Sequence, residues 1–406
     1  MTFRRASLSA FICLAASLSK AAEETPRADA PGPGRTDAPA PARAVRSYDE
    51  IIALPDDKFD LAEAVLTLAS EVNPATDVAG ILNELDSLAV KVRTFVPETP
   101  DGIDYLDALY EVVLDRKSAE PFREDRAENF DLSLAIRKRR GSCLSVGIVT
   151  LAVARRVGAP INGVQCPGHF FLRYTPPKNA GPKDSALNMD VTRLTPENWK
   201  KLDDTFYRRW HHLDSQAEAS GAYLRPLTDR EVVSAYLSSR AGYYGQKKDF
   251  EQALKDAQRA LALNPRNVNA LINAGFALES MKRFEDAEKQ YDRALEADPR
   301  SVRAMNNFAS LKVRDSKSSV YSPKQAEKLI ETALKIEPDR AFLLATCGEV
   351  RAARLDWRDA ARCMQQALNL DKKNTAYRDR FMQYRERLRE QEAGGKPGFD
   401  LKRMAD

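Results

Sequence analysis

Apolar positions recur every three to four residues along most of the chain, the spacing of helices with one buried face. The pattern is clear from Tyr48 onward, where Phe59 to Ala69, Val78 to Val92 and Asp104 to Val113 each show it. Leu132 to Lys138 is a shorter helical stretch, stopped by Gly141. Ser142 then opens an almost wholly apolar run, Cys143 to Val157, closed by Gly158 and Pro160. A helix that is apolar on all sides belongs inside a domain. Beyond it the pattern changes. Ile161 to Cys166 and His169 to Tyr174 read as strands joined by a Pro167-Gly168 turn, and Ala186 to Val191 as a third strand. Trp199 to Leu213 is predicted helical and leads into the C-terminal half.

Residues 234–374 repeat themselves. Pro265 and Pro299 are 34 residues apart, Pro338 follows after 39, and Lys372 takes the next position after 34 more. The unit ending at Pro338 thus carries about five extra residues near Asp315–Tyr321. An alanine lies five residues before each position (Ala260, Ala294, Ala333, Ala367) and another lies twelve before (Ala253, Ala287, Ala326, Ala360). Small residues there, with Gly275 and Gly348 on the first helices, let two antiparallel helices approach closely. One such pair cannot bury its own apolar face, so neighbours stack into a superhelix. The period and its alanine and proline positions resemble the tetratricopeptide (TPR) repeat. Thr375 to Glu392, a charged helix, is suited to capping the array. A helical bundle with chance spacing is the competing reading.

Composition adds little. The chain of 406 residues carries 63 basic and 59 acidic side chains, a formal charge of +4, too weak a bias to argue for nucleic acid. No apolar run approaches the roughly 18 residues that span a membrane. The N-terminus is more telling. Arg4 and Arg5 precede an uncharged stretch, Ala6 to Ser19, and Ser19-Lys20-Ala21 offers small residues for a cut. Residues 1–22 therefore read as a signal peptide, and the protein as exported to a periplasm or secreted. An ordinary N-terminal helix is the alternative. Ala10-Phe11-Ile12 before Cys13 matches a lipidation signal poorly. Residues 23–46, rich in Pro, Ala and Gly, read as a disordered linker. The mature chain would keep Cys143, Cys166, Cys347 and Cys363, too few for a disulfide framework. Cys347 and Cys363 fall on repeat helices as core residues, with a bridge between them left open.

The three histidines are the place to look for chemistry. His211 and His212 are neighbours on a surface helix beside Trp210, point different ways and read as structural. His169 opens an apolar strand, where an imidazole needs a partner. A backbone bond is one answer, and Cys143 is another. Cys143 starts a buried helix just after Arg139-Arg140-Gly141. A helix N-terminus favours a thiolate. Cysteine paired with histidine is the arrangement for nucleophilic catalysis, and Asp190 on the next strand could orient the imidazole. The competing reading is a structural cysteine and a satisfied core histidine. Cys166 lies three residues before His169 and could lock the site if bridged to Cys143. Zinc held by Cys143, Cys166 and His169 lacks the short paired spacings of structural sites, so no metal or cofactor is expected.

Arg139-Arg140-Gly141-Ser142-Cys143-Leu144-Ser145, Ala154-Arg155-Arg156-Val157-Gly158-Ala159-Pro160 and Pro167-Gly168-His169-Phe170-Phe171-Leu172-Arg173 together resemble the transglutaminase-like superfamily. More narrowly they resemble its bacterial SirB-type branch, in which such a core precedes TPR repeats. The resemblance covers residues 55–375, including Phe59-Asp60-Leu61-Ala62 and Leu82-Asn83-Glu84-Leu85-Asp86. It implies a papain-like core, with Cys143 as nucleophile, His169 as base and acid, Asp190 as orienter and Asn129 as an oxyanion donor. Met189-Asp190-Val191 replaces the aspartate-proline pair often seen there. Many members of the branch lack the cysteine; this chain keeps it.

The expected architecture is an α+β papain/transglutaminase-like core with an all-α N-terminal subregion, followed by an all-α TPR solenoid. The core spans 47–215, helical over 47–140 with the cysteine helix and sheet over 141–215. The repeats and cap span 216–392, and 393–406 is a tail. Two functions fit. One is an exported thiol enzyme, a cysteine peptidase, amidase or acyl transferase, with a TPR groove that docks a protein or peptide. The other is a non-catalytic scaffold in which docking is the whole function.

Overall fold

A computed structural model describes residues 44–114, 130, 132–137, 141–178, 185–191, 202–213 and 215–394. The expected leader, Asn129, Arg139 and Arg140 lie outside the described residues. Short polar side chains open the N-terminal helices. Ser47 caps α1 (Tyr48–Ile52), Asp60 caps α2 (Leu61–Val72), Asp77 caps α3 (Val78–Phe95) and Asp101 caps α4 (Gly102–Leu109), which runs into a π turn at Tyr110–Leu114. Each cap accepts from backbone N–H groups that a first turn leaves without partners. After α5 (Leu132–Arg137) comes α6 (Cys143–Val157), capped by Ser142 and ended by Gly158 in the left-handed region at φ 73°. Its residues from Ser145 to Ala154 are all buried, with α2, α3, α4 and α5 packed around it.

The sheet is antiparallel, with strand order β3-β2-β1-β4. β1 (Ile161–Cys166) and β2 (His169–Tyr174) form a hairpin whose register sets Cys166 opposite His169. β3 (Leu187–Met189) pairs with β2, and β4 (Pro226–Leu227) with β1. Strand alternation sends Phe170, Leu172 and Tyr174 into the core under α6. It turns Phe171 to the other face, with Val164 and Cys166. The approach of α6 to the sheet depends on Gly147, where a Cβ would stand 2.6 Å from the Phe170 ring.

The second face is covered by α7 (Asp204–Trp210), α8 (Ser215–Ala219) and the repeats. Of the helix predicted over Trp199 to Leu213, the described part is helical only from Asp204 to Trp210. Asp203 caps its start, and His212 at φ 52° stands beyond its end. Val268, Leu271 and Ala294 of the repeats share one cluster with Phe171 and Tyr207. On the α6 side, Val232, Val233 and Tyr236 of α9 (Asp229–Gln246) join the core of the N-terminal helices. With β4 drawn from residues 226–227, the sheet extends past the 215/216 boundary drawn from the sequence. The core and the repeats are therefore packed together rather than strung on a linker.

The repeats pair α9 with α10 (Phe250–Leu263), α11 (Val268–Ser280) with α12 (Phe284–Ala297), α13 (Val302–Arg314) with α14 (Pro323–Ile336), and α15 (Ala341–Ala353) with α16 (Trp357–Leu370). α17 (Thr375–Glu392) packs on α16 as a cap. The alanines at both repeat positions are buried, and a Cβ at Gly275 would stand 2.5 Å from the Tyr291 ring. The extra residues of the third unit fall between α13 and α14. Cys347 of α15 and Cys363 of α16 are both buried and form a disulfide, their Cα atoms 6.1 Å apart. The bridge that the sequence left open is therefore present.

Arg240 of α9 is buried in a two-point ion pair with Asp256 of α10, at 2.6 and 2.8 Å, and donates to the Leu68 carbonyl of α2. The first helices pack on one another, α9 on α11, α11 on α13 and α13 on α15, so they form the inner layer of the array. Phe276 and Phe342 stand exposed on this layer. No helix among the described residues is long and apolar enough to cross a membrane.

Candidate active site

Three chain segments meet where α6 begins. Ser142 takes the N–H of Ser145 at 3.0 Å, which fixes Cys143 as the first residue of the helix. The Cys143 thiol is free and half-buried at the end where the helix dipole favours negative charge. His169 starts β2 immediately after Gly168, which at φ 70° takes the left-handed turn position. Asp190 follows β3 and is almost wholly buried. Its Oδ2 lies 2.9 Å from His169 Nε2. The Cys143 side chain lies near enough to the imidazole to raise its pKa. With Nε2 held by the carboxylate, Nδ1 is the ring atom left to serve the thiol. The structure thus brings together Cys143, His169 and Asp190. It does not describe Asn129.

Electrostatics favour a charged imidazole. Burial works against the imidazolium, but the hydrogen bonds to Asp190 and Cys143, with the negative charge of both, outweigh it and raise the His169 pKa from 6.5 to about 9. Cys166 is different. It is free and buried on the second sheet face, where burial pushes its thiol well up despite the opposing charge of Arg173. A neutral buried thiol is a poor nucleophile.

Above the site, α7 crosses the outer face of β2 in the opposite direction and meets it in three rungs. At the far end Arg173 pairs with Asp204, and both bond Asn188, from Arg173 Nε at 2.8 Å and to Asp204 Oδ1 at 2.9 Å. Arg173 also donates to the Leu224 carbonyl at 2.9 Å. In the middle the Phe171 and Tyr207 rings stack at 3.8 Å and 4°. At the near end the His211 ring lies parallel to His169, with centroids 5.7 Å apart and 16° between planes. His211, read from the sequence as structural on a surface helix, therefore stands against the candidate imidazole, while His212 is exposed. The signal was available in the four-residue spacing of Tyr207 and His211, which puts both on one helix face. A cavity of about 220 Å³ lies beside the far rung, lined by Arg173, Asn188 and Asp204 among others, and Cys143 is not part of its wall.

The other motif residues hold the scaffold. Arg156, at the end of α6, pairs with Asp60 at 3.0 Å and Asp86 at 2.6 Å, tying α6 to α2 and α3. Arg155 pairs with Asp229 at 2.9 Å and so ties α6 to the first repeat helix.

Comparison with known proteins agrees with this architecture. Residues 79–238 match the family model of the transglutaminase-like superfamily, and residues 246–308 match a tetratricopeptide repeat model. The chain is 28% identical over 212 residues to a UPF0162 protein of Pseudomonas aeruginosa, covering 50% of this chain and 72% of that protein. It is 24% identical over 136 residues to protein SirB1 of Salmonella typhimurium, covering 33% of this chain and 47% of that protein, so it spans about half the length of that relative. Among solved structures it is similar to a thermophilic TPR protein of Thermus thermophilus, with 19% identity and a TM-score of 0.35 over 37% of this chain and 80% of the other. The chain thus joins a domain of the transglutaminase-like superfamily to tetratricopeptide repeats, in keeping with the SirB-type branch.

Proposed function

We propose that this chain is an exported thiol enzyme that cleaves or transfers amides, with a TPR array that docks a protein or peptide. The observation that carries the reading is the imidazole of His169 bonded to the Asp190 carboxylate at 2.9 Å, with the free Cys143 thiol near enough to raise its pKa. In the reaction, Cys143 Sγ as thiolate attacks the carbonyl carbon of a glutamine side chain or a peptide bond. His169, as imidazolium, gives its Nδ1 proton to the nitrogen that leaves, and a thioester remains on Cys143. His169, now neutral, takes a proton from water or a second amine as it attacks the thioester. Hydrolysis or transamidation results, and the thiolate-imidazolium pair is restored. Asp190 keeps Nε2 protonated and stabilises the cation.

Two features support export. One is the leader-like sequence at residues 1–22. The other is the Cys347–Cys363 disulfide, a bond that persists in oxidising compartments. Docking on the inner layer of the repeats would hold a protein substrate beside a core to which the array is already packed.

The test is labelling by a thiol-directed alkylating probe at mildly acidic pH, wild type against Cys143→Ala, with mass spectrometry of the captured species. Fast labelling lost in Cys143→Ala is the expected result. Labelling no faster than an ordinary thiol, whose pKa is about 8.5, would reduce the protein to a docking scaffold.

A further inference from the structure

We infer that His211 is a positioning residue for His169: its ring, parallel to the imidazole and fixed by α7, holds that imidazole in the plane from which it reaches both Asp190 and Cys143. The inference rests on the thiol-enzyme reading above and adds to it a residue outside the three that the chemistry uses.

The argument begins with periodicity. Alternate residues of a strand share a face, so His169, Phe171 and Arg173 of β2 point the same way. On a helix, residues three or four apart share a face, so Asp204 and Tyr207 do as well, and His211, the C-terminal cap of α7, continues that face through its N–H bond to the Tyr207 carbonyl. The rungs Arg173–Asp204, Phe171–Tyr207 and His169–His211 match the two periods in opposite directions. An ion pair and a close ring stack lock the first two rungs, so α7 has little freedom to slide. The third rung is then set by the other two. The backbone completes it: His211 N–H donates to the Tyr207 carbonyl at 3.0 Å.

A hydrogen bond at Nε2 restrains where that atom sits but leaves the ring free to tilt about it. A parallel ring offset-stacked beside it, centroids 5.7 Å apart, opposes that tilt. The groups facing His169 are Asp190 beside β3, Cys143 of α6, Cys166 across the hairpin, and Phe171, Tyr207 and His211 in the ladder. Among the described residues Asp190 bonds the ring and Cys143 lies close to it, and both interactions depend on its plane. A tilted ring serves them less well.

The experiment uses the full chain and iodoacetamide as the probe. Cys143 alkylation is timed at pH 6, and the imidazole signals are titrated by NMR, where only three histidines need assignment. His211→Ala is expected to slow labelling roughly tenfold or more, since small misplacements of catalytic groups have effects of this order. It should also move the His169 midpoint down toward 6.5, while the melting temperature holds. His211→Phe, which restores a flat ring, should recover most of the rate. His211→Gln, with similar reach and no ring, should behave like His211→Ala and replaces it if that variant does not fold. Labelling within twofold of wild type in the ringless variants overturns the inference, as does a phenylalanine variant as slow as alanine. Slow labelling of wild type itself overturns the thiol-enzyme reading and this inference with it; that outcome is seen before any His211 variant is compared.

Discussion

Replacing Asp190 by asparagine isolates the charge that holds His169. The shape and the 2.9 Å contact can survive, but the negative charge is lost. Burial alone would lower the His169 pKa; the bonds and charges of Asp190 and Cys143 raise it from 6.5 to about 9, and the Asp190 bond is the largest of the raising contributions. At 1.36 kcal/mol per pKa unit this net gap corresponds to about 3 kcal/mol favouring the imidazolium. Without the carboxylate the largest raising contribution is gone while burial still opposes the charge, so the midpoint should fall from about 9 toward 6.5. At pH 7.5 the charged fraction would drop from about 97%, reaching about a tenth if the midpoint returns fully to 6.5. An amide can also donate to Nε2, which would turn the ring to the wrong tautomer.

The assay is an NMR titration of wild type and Asp190→Asn, paired with iodoacetamide kinetics at Cys143. Stability offers a second reading of the same energy. A histidine whose pKa is raised by folding contributes stability that is complete below 6.5 and lost as pH rises through about 9. Urea unfolding of wild type should therefore weaken over that window by up to about 3 kcal/mol more than unfolding of Asp190→Asn. A wild-type midpoint near 6.5, or a midpoint that stays near 9 in the variant, would refute the reasoning.

Three further predictions concern the frame. Asp256→Ala leaves Arg240 buried without its two-point partner and should destabilise the protein by about 3–5 kcal/mol in urea titrations. Gly147→Ala puts a methyl 2.6 Å from the Phe170 ring; overpacking of about 1–3 kcal/mol should exceed the helix-propensity gain of about 1. The melting temperature should fall, and Cys143 alkylation should slow as α6 backs away from the sheet. Replacing both Cys347 and Cys363 by serine opens a link across a separation of 16 residues, which should lower stability by about 3 kcal/mol. Added reductant should reproduce that loss in wild type and leave the double variant unchanged.

Much of this protein is legible in its sequence because the relevant signals are local. The 34-residue period, its alanines and its prolines fix the helix pairs, since close packing of two short helices needs small residues at set places. The five extra residues of the third unit fall between α13 and α14, as the shifted proline implied. Ser142 and Gly158 mark both ends of α6, and Pro167-Gly168 marks the hairpin that presents His169. These are effects of neighbours on neighbours, and a chain read in order displays them.

What the sequence could not decide is which distant side chains meet. Asp190 is 21 residues from His169, and only the pairing of β2 with β3 brings it to 2.9 Å. β4 lies beyond the boundary drawn at 215, because two residues without a pattern of their own become a strand only against β1. Arg155 and Arg156, which carry the family resemblance, turn out to tie α6 to α9, α2 and α3. His211 is the sharpest case. Its four-residue spacing from Tyr207 was plain, but the face it occupies has meaning only once α7 lies against β2, and that placement is set by an ion pair and a ring stack between segments more than thirty residues apart. Periodicity names a face, and tertiary packing alone determines what that face meets.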